Sequence, residues 1–169
     1  MSNLRGYLGL IALSAALAAC GGKKEEAAAP AAEAPAAAAA PAADAAAPAK
    51  IAADDVTTLD GTKFADMKGD AKHGEAVFTQ CKTCHVIDPG VNRIGPSLHG
   101  IIGRKSGQMA GFSYSTANKE SGITWTPEKL YQYLEKPARV VPGTKMAFAG
   151  LPKGQDRADV IAYLTSATK

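Results

Sequence analysis

Between Ala27 and Ala49 the chain holds 17 Ala, four Pro, Glu33 and Asp44 and nothing else, and such a stretch cannot build a core. Alanine favours helix, but Pro30, Pro35, Pro41 and Pro48 recur too often for one. Each proline removes an amide donor and disfavours helix in the residue before it. A semi-extended linker is the expectation. Any folded domain must therefore come from the C-terminal part, which we place at residues 69–169, with residues 20–68 as the linker. Charge divides the same way: the net +3 of the 169 residues hides a basic half. Residues 69–169 carry nine Lys and four Arg against eight Asp and Glu, a net +5, whereas residues 21–68 carry five Lys against eight acids, a net −3.

Arg5 precedes an apolar run from Leu8 to Ala19, too short for a hydrocarbon core that needs roughly 20 residues. Residues 1–19 read as an export signal. The run ends in Leu17-Ala18-Ala19-Cys20, which resembles the cleavage site of bacterial lipoproteins. Cys20 would then become the mature amino terminus and carry acyl chains, two or three of which give firm anchoring. The alternatives are an ordinary cleaved signal or an uncleaved anchor extended by Ala. With the anchor, the domain is held on the periplasmic side of a bacterial membrane by a tether of 21–68, which trades free diffusion for a high effective concentration near membrane partners.

Cys81, Lys82, Thr83, Cys84 and His85 form Cys-x-x-Cys-His. Two thiols three positions apart on one helical turn can both add to the vinyl groups of a haem, and the following imidazole then faces the iron. The motif points to one covalently bound haem c. Cys-x-x-Cys also occurs in zinc and dithiol redox sites. A structural zinc usually wants four ligands, and no further Cys is present outside the signal. A thioredoxin-like site needs βαβ patterning, which is absent. Met146, in the run Pro142-Gly143-Thr144-Lys145-Met146, is the candidate sixth ligand: a loop stiffened by Pro and turned by Gly can present its sulfur. A neutral thioether favours reduced iron and suits one-electron transfer. Met67, placed before the domain, and Met109, in a Gly-rich loop, are its rivals.

These residues stand among others that match a family. Gly95-Pro96-Ser97-Leu98-His99-Gly100, Gly103-Arg104-Lys105-Ser106-Gly107, Gly111-Phe112-Ser113-Tyr114-Ser115, Ala117-Asn118, Gly122-Ile123-Thr124-Trp125, Tyr133-Leu134 and Ile161-Ala162-Tyr163-Leu164 resemble class I c-type cytochromes of the mitochondrial and cytochrome c2 type. The resemblance implies an all-α fold in which amino- and carboxy-terminal helices cross beside a haem buried except for one edge. It also implies roles: the Pro96 carbonyl accepts the outer N–H of His85, and Arg104, Tyr114, Trp125 and Thr144 hydrogen-bond the haem propionates. Asn118 and Tyr133 tune the methionine sulfur, and Phe148 closes the exposed haem edge. His99 matches a structural position.

Helices are legible without the family. Val160, Ile161, Tyr163 and Leu164 recur at helical spacing between Asp156 and Lys169, and Ala71, Gly74, Val77 and Phe78 form an earlier face on which Gly74 allows a close helix approach. Pro127 begins a third helix capped by Thr126 and ended by Pro137. His73 reads as a solvated helix residue, and nothing argues for strands. The expectation is a monomeric electron carrier, not an enzyme and without nucleic-acid partners. It would receive electrons from a quinol-oxidising complex and deliver them to a terminal oxidase, a reductase or a photosynthetic reaction centre. Lys72, Lys82, Lys105 and Lys145 are candidate steering charges for acidic partners. The alternative is a haem enzyme or gas sensor with an open sixth position.

Overall fold

The computed structural model describes residues 51–168. The export signal, Cys20 and the Ala/Pro tract lie outside the described residues. Helix α1 (Ala71–Phe78) starts at Asp70, whose carboxylate accepts the amides of Lys72 and His73 at 2.8 and 3.3 Å. This satisfies two of the donors that a helix start leaves open. A short helix α2 (Thr116–Lys119) is capped by Ser115. Helix α3 (Pro127–Glu135) starts as expected, with Pro127 in its first turn and Thr126 Oγ1 accepting the Lys129 amide at 3.1 Å. Pro137 does more than stop it: after the break at Lys136, Pro137 opens a further turn, α4 (Pro137–Val140), because proline is well suited to a first helical position. Helix α5 (Gly154–Ala167) begins two residues before the expected Asp156.

The fold is all-α. Among the described residues the nearest thing to a sheet is an isolated antiparallel bridge between Lys105 and Thr124. No described helix is long and apolar enough to cross a membrane. Helices α1 and α5 cross at Gly74, where a Cβ would lie 1.9 Å from the Asp159 carbonyl oxygen, so the backbones touch only because the side chain is missing. Val77 and Phe78 of α1 share one buried core with Val160, Ile161 and Leu164 of α5 and with Leu130, Tyr131 and Leu134 of α3. The Phe78 and Tyr163 rings meet at 5.2 Å across the crossing.

Two readings of the sequence need correction. Residues 51–68, assigned to the linker, pack on the helical domain: Thr58 is buried, Phe64 stacks on Tyr131 at 5.8 Å, and Phe64–Asp66 form a 3₁₀ turn. Met67, placed before the domain, packs against its core. Composition misled here because this stretch binds largely through backbone groups and polar side chains, with scattered apolar anchors such as Phe64 and Met67 in place of a periodic apolar face. His73 is an exposed helix residue, as expected, and its Nδ1 also lies 2.7 Å from the carboxylate of the buried Asp159. That carboxylate also accepts the Asp70 amide and Gln155 Nε2, each at 2.7 Å, which ties both helix starts together.

Candidate functional site

Cys81, Cys84 and His85 follow α1 on a continuing turn, in which the Cys81 amide donates to the Phe78 carbonyl and the His85 amide to the Cys81 carbonyl. The helix thus supplies the spacing the motif requires. Both thiols are free and half-buried. Burial, reinforced by the neighbouring Cys84, pushes the Cys81 thiol up to about 11. His85 Nδ1 is 2.8 Å from the Pro96 carbonyl oxygen. A carbonyl can only accept, so Nδ1 carries the proton and the Nε2 lone pair is left for a metal. Burial, with the nearby Arg104 charge, lowers the imidazole's proton affinity against the opposing effect of the Pro96 bond, in the direction that favours the neutral ring a ligand needs.

Gly95 holds that ring flat. A Cβ there would sit 2.3 Å from His85 Cε1 and 2.6 Å from Nδ1, so residue 95 can be nothing larger. Sequence reading took Gly95 merely as part of a matching stretch, and the Gly-Pro pair ten residues after the histidine is the signal that could have marked it. The loop is locked by the Gly95 amide on the Cys84 carbonyl and the Leu98 amide on the Val86 carbonyl, both at 2.8 Å. Ser97 Oγ donates to the Asp88 carbonyl at 2.6 Å.

Met146 is half-buried, and Tyr133 of α3 donates its hydroxyl to the methionine sulfur at 3.2 Å. Among the described methionines, Met146 is the one whose sulfur receives a hydrogen bond. Its amide is held by Thr144 Oγ1 at 3.2 Å, and that hydroxyl donates in turn to Asn118 Oδ1 at 3.1 Å. Asn118 is buried, with Ser115 Oγ 2.9 Å from the same oxygen and Ser106 Oγ 3.4 Å from its amide nitrogen. Tyr133 thus reaches the sulfur itself, whereas Asn118 reaches the loop through Thr144. Burial pushes the Tyr133 phenol up, so it remains a donor.

The remaining expected residues divide. Trp125 is buried against Tyr133, ring centroids 4.7 Å apart. Tyr114 packs edge-on to Phe112 at 4.8 Å, its phenol pushed up by burial against the opposing effects of Arg104 and a backbone hydrogen bond with Met109. Arg104 donates to the carbonyls of His99 at 3.0 Å and Ser97 at 2.8 Å; this commits two of its five donors. Phe148 packs partly against the core. Lys72, Lys82, Lys105 and Lys145 are all exposed, although Lys145 donates to the Ser113 carbonyl at 3.2 Å. Arg157 escaped sequence reading altogether: it is fully buried, ion-paired to Asp60 at 2.6 Å and 3.7 Å from Glu135.

An imidazole with its outer nitrogen occupied, a thioether turned by a phenol and two unpaired thiols one turn apart form a donor set that suits a covalent haem. Comparison with known proteins agrees. The family described as cytochrome c matches residues 71–168. The chain is 53% identical over 103 residues to cytochrome c type-1 of Ascaris suum, covering 60% of this chain and 92% of that one. It is 51% identical over 105 residues to cytochrome c of Arabidopsis thaliana, covering 61% and 94%. Among solved structures, cytochrome cH from Methylobacterium extorquens superposes with a TM-score of 0.56 at 43% identity, covering 58% of this chain and 99% of that one.

Proposed function

Since the chain belongs to the cytochrome c family, and is an electron carrier rather than an enzyme, we propose that it shuttles single electrons between membrane complexes while tethered to the periplasmic side of a bacterial membrane through a lipid on Cys20. Haem c, bound covalently through Cys81 and Cys84, supplies an iron that alternates between Fe(II) and Fe(III). In this reading His85 Nε2 and Met146 Sδ would hold that iron. The observation that carries it is the pairing of two oriented donors: a His85 ring whose Nδ1 is occupied by Pro96 at 2.8 Å, and a Met146 sulfur held by Tyr133 at 3.2 Å.

Each neighbour has a defined task. Pro96 keeps the imidazole in one tautomer and raises its donor strength. Thr144 and Asn118 hold the Met146 backbone, so that little rearrangement accompanies a change of charge on the iron. Arg104, Tyr114 and Trp125 offer donors to the propionates, whose charge is costly to bury unpaired, whereas the Thr144 hydroxyl proton is committed to Asn118, and Phe148 shields the haem edge. The basic surface around Lys72, Lys82, Lys105 and Lys145 steers acidic partners into brief encounters. The donor is a quinol-oxidising complex, and the acceptor is an oxidase, a reductase or a photosynthetic centre.

Replacing Met146 by Leu tests the ligand set: the ferric sulfur-to-iron charge-transfer band disappears and the potential falls. An unchanged spectrum and potential would refute the assignment. Intact mass of the membrane-extracted protein tests the anchor: a mature chain beginning at Cys20 with diacylglycerol and fatty acyl additions is expected, and an unmodified amino terminus further along the chain sinks the tether.

A further inference from the structure

Residues 52–62 lie outside the stretch matched to the family, which begins at residue 71, yet side chains of three helices grip them. Lys129 Nζ donates to the carbonyls of Ala52 and Asp55 at 3.1 and 2.6 Å. Gln132 reaches Asp55 Oδ1 and the Thr57 carbonyl, which also accepts from Arg139. Glu135 accepts the amides of Leu59 and Asp60 at 2.6 and 3.0 Å. Arg157 Nη2 donates to Asp60 Oδ2 at 2.6 Å and Thr62 Oγ1 at 3.1 Å. Lys129, Gln132 and Arg157 are buried, so this is a built seat for a particular segment rather than an exposed charge pattern.

The other terminal nitrogen of Arg157 points at the Met146 loop. Its Nη1 donates to the carbonyls of Leu151 at 2.9 Å and Pro152 at 3.2 Å, and the guanidinium lies 4.4 Å from the Tyr131 ring centroid. The Leu151 amide donates to the Leu134 carbonyl at 2.7 Å. Just before it, Gly150 passes so close to α3 that a Cβ would lie 2.0 Å from the Glu135 carbonyl oxygen. The trailing end of the loop that carries Met146 is therefore fastened to Arg157 and to the end of α3, the helix that also presents Tyr133 to the sulfur.

We propose that residues 52–62 are a strap that positions Met146, acting through the Asp60–Arg157 pair. This rests on the reading of Met146 as an iron ligand. Two carboxylates, Asp60 and Glu135, balance one guanidinium that is 0% exposed. Without Asp60 the buried charge is left with Glu135 at 3.7 Å, and a buried cation that loses a partner moves toward the remaining one or admits water. Either response draws Nη1 from the Leu151 and Pro152 carbonyls and loosens the loop, because a buried network of this kind acts as a unit. The strap thus adds to the family domain a means of retaining its sixth ligand.

The test uses the full-length holoprotein and imidazole, which displaces methionine from ferric iron and is followed by loss of the sulfur-to-iron band. Asp60→Ala is expected to bind imidazole more tightly by on the order of tenfold, within the usual range for coupled sites, with faster amide exchange at Leu151. Asp60→Glu restores both. His73→Ala, which breaks a contact between α1 and α5 that shares no hydrogen-bond partner with Arg157, lowers the melting temperature and leaves imidazole affinity unchanged. If Asp60→Ala does not fold, Asp60→Asn, which keeps an acceptor for Thr62, carries the same expectation. Wild-type imidazole affinity in Asp60→Ala and Asp60→Asn, or an equal rise in His73→Ala at equal loss of melting temperature, overturns the proposal. Absence of the sulfur band from the wild type would instead fail the ligand assignment itself.

Discussion

Tyr133→Phe isolates one atom of the site. The ring keeps its place against Trp125, 4.7 Å away, and the change removes only the hydroxyl that donates to Met146 Sδ at 3.2 Å. A neutral buried hydrogen bond is worth about 1 kcal/mol net. Because it draws density from the sulfur, it is stronger when the iron is Fe(II) and the thioether is richer in electrons. If half to all of that energy differs between the two oxidation states, the potential moves by about 20–40 mV, since a tenfold change is 59 mV for one electron. Losing the bond disfavours the reduced state, so the variant's midpoint potential is lower. Spectroelectrochemical titration of the purified holoprotein beside the wild type measures it. A rise, or a change smaller than about 10 mV, refutes the claim that this hydroxyl tunes the iron through the sulfur.

Gly95→Ala places a methyl 2.3 Å from His85 Cε1, so covalently loaded protein per milligram, read by pyridine haemochrome, drops sharply; a normal yield with an unchanged ferrous spectrum contradicts the packing argument. Gly74→Ala forces the α1 and α5 backbones apart at a contact of 1.9 Å. It costs about 3 kcal/mol, the upper end for overpacking, and lowers the melting temperature by roughly 12–24 °C for a domain of this size. Calorimetry within about 3 °C of wild type would argue against a backbone-limited crossing. Burial raises the Asp60 carboxyl, but hydrogen bonds from Thr62 and Arg157 outweigh it and hold it well below the ordinary 3.8; Asp159, bonded by Asp70, His73 and Gln155, is likewise depressed. Depressed carboxylates contribute stability that is fully present above 3.8 and lost as pH falls through their folded values. Urea midpoints should therefore decline below about pH 4, and less steeply in Asp60→Asn; equal slopes would remove Asp60 from the acid response.

What could be read in advance was local. The haem attachment follows from Cys81, Cys84 and His85 because covalent chemistry at fixed spacing needs only one helical turn. The caps at Thr126 and the close approach at Gly74 follow from the properties of single residues in a periodic pattern. The His85–Pro96 and Tyr133–Met146 pairs were expected by resemblance to a family, not by any property of the residues between them.

The strap, by contrast, was invisible. Its bonds join groups 74 to 97 residues apart, and they depend on backbone amides and carbonyls, which every residue carries and no composition reveals. Arg157 becomes a buried hub because α5 turns it toward Asp60, Glu135 and the Leu151 carbonyl together. The amino-acid order determined which chemistry this chain can perform and where its helices begin. Tertiary structure decided where the domain starts and which charges lose their water, because burial is a property of the faces brought together and a linear pattern records only the faces themselves.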